Sequence, residues 1–486
     1  MSSELRRPVP SDTRSRTRSR SRGRGGERAR LRGDLGVASI VFMVTAAASP
    51  LAVVGGPVPL GIAGGNGTGF PATYVVAGVV LLFFAVGFTA MTPHVRSAGA
   101  FSSYVDRGLG RGAGLGAGFA ALLSYVTLEA GVFGLLGPGL AALPAGGRVL
   151  GAPWWVYAAS ALAVVAFLGY RDVELSGKVL GVGLVSEVLV VVVFDAVVLV
   201  TGGDSGLSSG IVSPDRIMSG APGVGVLFAV LGFIGFEATA VFRDEARDPG
   251  RTIPRATYLS LALIGTFYAL SSWALITAVG DAHAVGTATD HGGTMLADAT
   301  RHHLGAVGGH LVHVLFVTSL FAGILSFHTI VARYVFALAG RGALPAWLGA
   351  AHPRHGSPHR ASNATAAVVA VLLAVSVAAG LDPADQVYTW LASFASVGVV
   401  LLYAITSAAV VVFFAQHREH RTGAWPNACA PALGLLGLVA FLVLILDNLT
   451  TLVGGSSALA VGVPALLVAS LLLGPVVARR GAGAGP

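Results

Sequence analysis

Charge is scarce in this 486-residue sequence. Asp, Glu, Lys and Arg make up 11% of it, against about 25% in soluble domains, while 54% is hydrophobic and the mean hydropathy is +0.77. So few charges cannot cover a water-facing surface of this size, which excludes a soluble globular protein and points to an integral membrane protein in a lipid bilayer. Cysteine is nearly missing as well. Cys429 alone excludes an intrachain disulfide and a cysteine metal cluster. Enzyme signatures are absent: no Gly-rich loop ending in Lys-Ser/Thr, no His-Glu-x-x-His, no Gly-x-Ser-x-Gly. Gly110, Gly112 and Gly114 alternate, but no strand precedes them. No enzyme activity, cofactor or metal site is therefore expected, and any uphill transport would have to draw on an ion gradient.

An apolar signal-peptide core is also lacking at the start. "RRPVPSDTRSRTRSRSRGRGGERARLR" carries eleven arginines among Ser, Gly and Pro. Such a segment cannot bury a core and is not a cleaved signal. Residues 1–33 read as a disordered, Arg-rich cytoplasmic tail that fixes topology, rather than as an arm for nucleic acid. No nucleic-acid partner is expected.

What is present is a series of long apolar runs. A span needs about 20 mostly apolar residues, and twelve candidates lie near 35–62, 73–92, 115–140, 152–170, 178–201, 222–242, 256–280, 306–335, 363–380, 386–414, 430–450 and 455–478. The loops support the count. One side carries the tail, Arg96, Arg107, Arg111, Arg171, Lys178, Arg243, Arg247, Arg251, Arg255, Arg341, Arg354, Arg360, Arg418, Arg421, Arg479 and Arg480. The other carries Arg148, Arg216 and Arg301. By the positive-inside rule, both termini are expected in the cytoplasm of a multi-pass cytoplasmic-membrane protein. Residues 280–303 between the seventh and eighth spans are expected to form a short outer helix in their second half. Residues 481–486 are expected to be a second disordered tail.

Two spans contain helix breakers. In the first, Ala46, Ala47, Ala48 and Ser49 precede Pro50, and Gly55, Gly56, Pro57 and Pro59 follow. Proline removes a donor and clashes with the preceding turn, and freed backbone groups at membrane depth must find partners. The sixth span carries Gly232 and Gly235 before Glu237. Either feature alone fits ordinary packing through small residues. Together they lie five spans apart, at corresponding positions of two inverted five-helix repeats, which is the sequence pointer to a transporter's central site. The expected fold is an all-α membrane protein of 12 transmembrane helices, a 5+5 inverted repeat with discontinuous first and sixth helices plus two C-terminal helices. Its parts are 34–202, 203–415 and 416–480.

Several stretches resemble the amino acid–polyamine–organocation permeases, which have the leucine-transporter fold. "GFIGFEA" followed by "RDEARDPGRTIPRA" is similar to that family's sixth span and its loop. "HTIVARYVFALAGRGALPAWLGAAHPRHGSPHRA" resembles the end of the eighth span and its loop. "LSGKVLGVGLVSEVLVVV" resembles the start of the fifth, and "AGAFSSYVDRGLGR" the segment after the second. The similarity covers about residues 35 to 415. It departs where the family often shows Gly-Ser/Ala-Gly in the first break, since this chain has "AAASPLAVVGG". Some proton-coupled members carry a lysine in the fifth span where this chain has Val190 to Val193.

The resemblance implies a secondary active transporter of an amino acid or related amine, working by alternating access with a proton or other coupling ion. The alternatives are an amino acid/amine exchanger and a membrane ligand sensor that moves nothing. It implies substrate contacts at Ala47, Ala48, Ser49, Pro50 and Leu51, at Phe233, Ile234, Gly235 and Phe236, and at His328. Glu237 would be a gate or coupling carboxylate. Its alternative is a neutral glutamic acid bonded to freed backbone. Ionisable residues inside a membrane are functional by default, and Glu129, Glu187, Asp195, His313 and Asp447 join Glu237 and His328 on that ground. Glu187 and Asp195, eight residues apart, roughly share a helix face and read as a proton relay or as an interfacial and a capping carboxyl. Pro254 suits the first turn of the seventh span.

Overall fold

The computed structural model describes residues 35–95, 100–143, 151–171, 177–352 and 357–482. The Arg-rich tail and residues 483–486 lie outside them. Among the described residues, twelve helices are long and apolar enough to span a membrane. They run Val37–Gly55, Pro57–His94, Arg111–Ala141, Trp154–Arg171, Gly181–Thr201, Pro222–Ala240, Pro249–Val279, Met295–Gly340, His359–Ala378, Pro383–Gln416, Trp425–Asp447 and Ser457–Arg479. The last helix continues to Ala482, past the expected start of the C-terminal tail. Among the described residues there is no sheet. A main-chain bridge joins Leu35 to Ala246, with the Arg247 amide donating to the Leu35 carbonyl at 3.1 Å. This bridge ties the entry of the first span to the exit of the sixth.

The fifth span shows how composition selects a face. Val182, Val185, Leu189, Val192 and Val200 are exposed, whereas Glu187 and Asp195 are buried. At 100° per residue the exposed set forms one stripe and the two carboxyls lie on the opposite side. The stripe therefore meets lipid and the carboxyls meet protein. Position in the bundle follows the same logic. In the sixth span 89% of the apolar window is buried, and in the twelfth 17%, so the sixth is central and the twelfth peripheral. The twelfth docks on the third through glycine: Gly474 lies against the main chain of Gly112 and Gly116, and the Leu471 carbonyl lies over Gly116. Small residues let two membrane helices approach to backbone contact.

One local expectation is corrected. The seventh helix starts at Pro249, so Pro254 lies inside it rather than in its first turn. Pro249 takes the first helical position, where a missing N–H costs nothing, and the Asp248 carbonyl accepts from Arg251 and Thr252. In the 280–303 loop the expected short helix forms in the second half: it starts at Met295 and is set off from the long eighth span by Gly305 (φ 79°, ψ 177°), where the helical backbone breaks. A further short helix, Ala284–His291, forms in the first half.

Both breaker-rich spans are interrupted. The first stops at Ala47, Ser49 turns left-handed (φ 47°, ψ 67°), and a second helix runs Pro50–Gly55. Left-handed backbone is unfavourable for a residue with a Cβ. Here Pro50 disfavours the helical conformation for the residue before it. The sixth span stops at Phe233, Ile234 is extended (φ −60°, ψ 128°), and Gly235 takes φ +113°, open to glycine alone at low cost. Tight single turns then run Phe236–Glu245. Gly232 stays helical. Its role is close approach, since a Cβ there would sit 3.0 Å from the Tyr268 ring and 3.1 Å from Val53 of the first span.

Candidate functional site

An interrupted helix exposes amides at the start of its second half. In the first span these belong to Leu51 and Ala52, because Pro50 has no N–H. The Ala52 amide donates to Ser319 Oγ at 3.2 Å. Ser319 Oγ in turn donates to Glu187 Oε2 at 2.8 Å, and the Leu51 amide faces the same carboxyl. Glu187, from the fifth span, thus occupies the amide end of the second half-helix, with Ser319 of the eighth span completing the cap. Ser49 makes no cap of its own. Its hydroxyl, 7% exposed, has no partner among the described residues.

The sixth-span break is closed in the same manner. Glu237 Oε2 accepts from the Gly235 amide at 2.9 Å and from the Tyr403 hydroxyl at 3.0 Å. Glu237 Oε1 accepts from the Tyr125 hydroxyl. One carboxyl therefore fastens the break to the third and tenth spans. Glu187 and Glu237 are both buried, and among the described residues no ion pair reaches either. Tyr268 joins the two breaks. Its hydroxyl donates to the Ala48 carbonyl at 3.4 Å, and its ring centroid lies 6.5 Å from Phe233 and 5.3 Å from Tyr74. Tyr74, fully buried, has a hydroxyl without a partner among the described residues.

The structure places Ala47, Ala48, Ser49 and Pro50 at the first break, with the Leu51 amide at Glu187, and Ile234 at the second, with the Gly235 amide at Glu237. Phe233 and Phe236 are fully buried in packing. Phe233 fills the space left by Gly78 and Gly265, and Phe236 packs on Phe84 and Tyr403.

The other ionisable groups lie apart from the breaks. His328 Nδ1 bonds Glu129 Oε1 at 2.7 Å and its Nε2 bonds Ser362 Oγ at 2.9 Å, all fully buried or nearly so. Gly169 leaves room for this cluster, since a Cβ there would lie 2.6 Å from Ser362 Oγ. The cluster thus ties together the third, fourth, eighth and ninth spans. Asp195 accepts from Ser271 of the seventh span at 2.7 Å. It stands about 12 Å along the helix axis from Glu187 by helical rise, too far for direct proton exchange. His313 bonds the Gly139 carbonyl at 3.0 Å, and Asp447 is exposed at the end of its helix.

Ser319, Tyr125, Tyr268 and Tyr403 escaped the reading of the sequence. Their signal is a hydroxyl in an apolar span, which in membranes marks contact between helices.

Comparison with known proteins settles the class. The amino acid permease family pattern matches residues 35–468. The chain belongs to the amino acid permease family. Among its relatives, an uncharacterized transporter of Mycobacterium tuberculosis is 30% identical over 322 residues, which is 64% of this chain and 66% of the relative, just under two thirds of that protein's length. A branched-chain amino acid permease of Bacillus subtilis is 24% identical over 367 residues, 71% of this chain and 74% of that one. A low-affinity putrescine importer of Escherichia coli is 25% identical over 255 residues, 51% and 54%. A solved manganese transporter of Eremococcus coleocola shares the fold, with a TM-score of 0.56 at 14% identity over 93% of this chain and 98% of that one. This permease-family chain is accordingly a multi-pass membrane protein, and its relatives are transporters rather than enzymes.

Proposed function

We propose that this permease-family chain carries an amino acid or related amine across the cytoplasmic membrane by alternating access, with both termini in the cytoplasm and a proton as the coupling ion. The observation that supports this is the pair of opened helices at corresponding positions, brought together by Tyr268. Half-helix ends of this kind can hold a small charged solute with main-chain groups alone. Glu237 fastens the sixth-span break through three donors, and a change in that bonding would free the break to move. A proton taken up by this carboxyl would change that bonding and so couple to the opening of the helix.

The test is uptake of radiolabelled amino acids and amines into proteoliposomes under an imposed pH gradient. Accumulation that collapses with a protonophore is the expected result. Glu237→Gln should remain in the membrane and lose most of the coupled uptake. Absence of gradient-driven accumulation for every compound would refute the transport reading, and wild-type rates in Glu237→Gln would refute the role of that carboxyl.

A further inference from the structure

A substrate carboxylate seated in an opened helix needs free amides, and those of Leu51, Ala52 and Gly235 are already engaged. The amides at the start of Pro50–Gly55 point to Glu187 and its partner Ser319, and the amide at Gly235 points to Glu237. An incoming carboxylate would have to displace one of these groups, or lie beside a carboxyl that accepts the same hydrogen bonds. Like charges that close oppose each other strongly in a buried setting.

The complementary ends remain suited to a cation. The helix Val37–Ala47 ends at the break with its carbonyl end, as does Pro222–Phe233, and carbonyl ends of helices favour positive charge. The Tyr74, Phe233 and Tyr268 rings gather beside them, with centroids 5.3 to 6.5 Å apart. Aromatic faces attract ammonium groups. Tyr74 Oη, in this group of rings, and Ser49 Oγ, in the first break facing Gly323 of the eighth span, belong to residues more than nine-tenths buried and have no partners among the described residues, and each can accept an N–H.

We propose that Glu187 is a specificity-determining residue: it fills the seat of a substrate carboxylate and so selects cationic amines that lack one. This rests on the transport reading for its biological meaning, but binding alone can test it.

The probes are pairs that differ only by the carboxylate: putrescine and ornithine, cadaverine and lysine, isoamylamine and leucine. Thermal stabilisation of the purified full-length protein and uptake into proteoliposomes are measured for each. The expected result is that at least one amine binds at least tenfold more tightly than its amino acid. In Glu187→Gln, which keeps an acceptor oxygen and drops the charge, the ratio should fall below threefold. Should Glu187→Gln fail to fold, the wild-type ratios still decide. Equal or tighter binding of the amino acid throughout would overturn the proposal, as would failure of every amine to bind, or an undiminished ratio in a folded Glu187→Gln. An amine preference seen in stabilisation without uptake would uphold the proposal and refute transport. Uptake of both members of a pair alike would do the reverse.

Discussion

Replacing Glu237 by alanine should be among the most damaging single changes in the protein, and the structure sets the size of the effect. The substitution strands three donors: the Gly235 amide and the hydroxyls of Tyr125 and Tyr403. All sit in a buried site, where an unsatisfied group costs about 1–3 kcal/mol. Three such groups put the loss at about 3–9 kcal/mol. Membrane helices set a lower bound, because their interhelical hydrogen bonds average about 0.6 kcal/mol, giving a floor of about 2 kcal/mol. Tyr403→Phe alone removes one of the two donors to Oε2 and should cost about 0.6–1.7 kcal/mol. The assay is unfolding of the purified protein in mixed micelles, followed by circular dichroism, for both single variants and the double variant. Once Glu237 is alanine, Tyr403→Phe should cost nothing and recover part of the loss, because it removes a hydroxyl that the first change has stranded. The reasoning is refuted if Glu237→Ala unfolds within 0.5 kcal/mol of wild type, or if Tyr403→Phe costs the same in both backgrounds; that margin is about the additivity error of independent sites.

Two further outcomes are expected. His328→Ala should destabilise the fold by about 2–6 kcal/mol, because it strands Glu129 Oε1 and Ser362 Oγ in a buried site where each unsatisfied group costs about 1–3 kcal/mol. Adding Glu129→Ala should recover part of that loss in the same unfolding assay. Gly116→Val should force the twelfth span off the third, because the Leu471 carbonyl and Gly474 occupy the space a side chain would need. Limited proteolysis of the membrane-embedded protein would then show faster cleavage between the eleventh and twelfth spans, while Gly462→Val, where nothing lies within contact distance, would behave as wild type.

The parts of the fold legible in the sequence were those written locally. Span number follows from runs of apolar residues. The two breaks follow from Pro50 and Gly235, whose effects act on their own turn of chain. The bond from Glu237 to Gly235 is likewise local. Tyr125, Tyr403 and Ser319 reach their carboxyls across 112, 166 and 132 residues, so their roles depend on how helices rotate against one another. An apolar helix buried on most sides gives no pattern to read that rotation from. The same gap explains His328. Its place in the middle of the eighth span was plain, but its ring is held by Glu129 and Ser362 rather than lying at either break. Gly232 shows the opposite error, since glycine there serves contact with Tyr268 rather than flexibility.

The bridge between Leu35 and Ala246 has a mechanical corollary. It clasps the flanks of the two interrupted helices with a bond from the Arg247 amide to the Leu35 carbonyl, so it is indifferent to side-chain identity and only a proline at 247 would delete its donor. While it is fastened, neither flank can swing without dragging the other. Any rocking motion that parts these helices on this side must first unclasp this main-chain link.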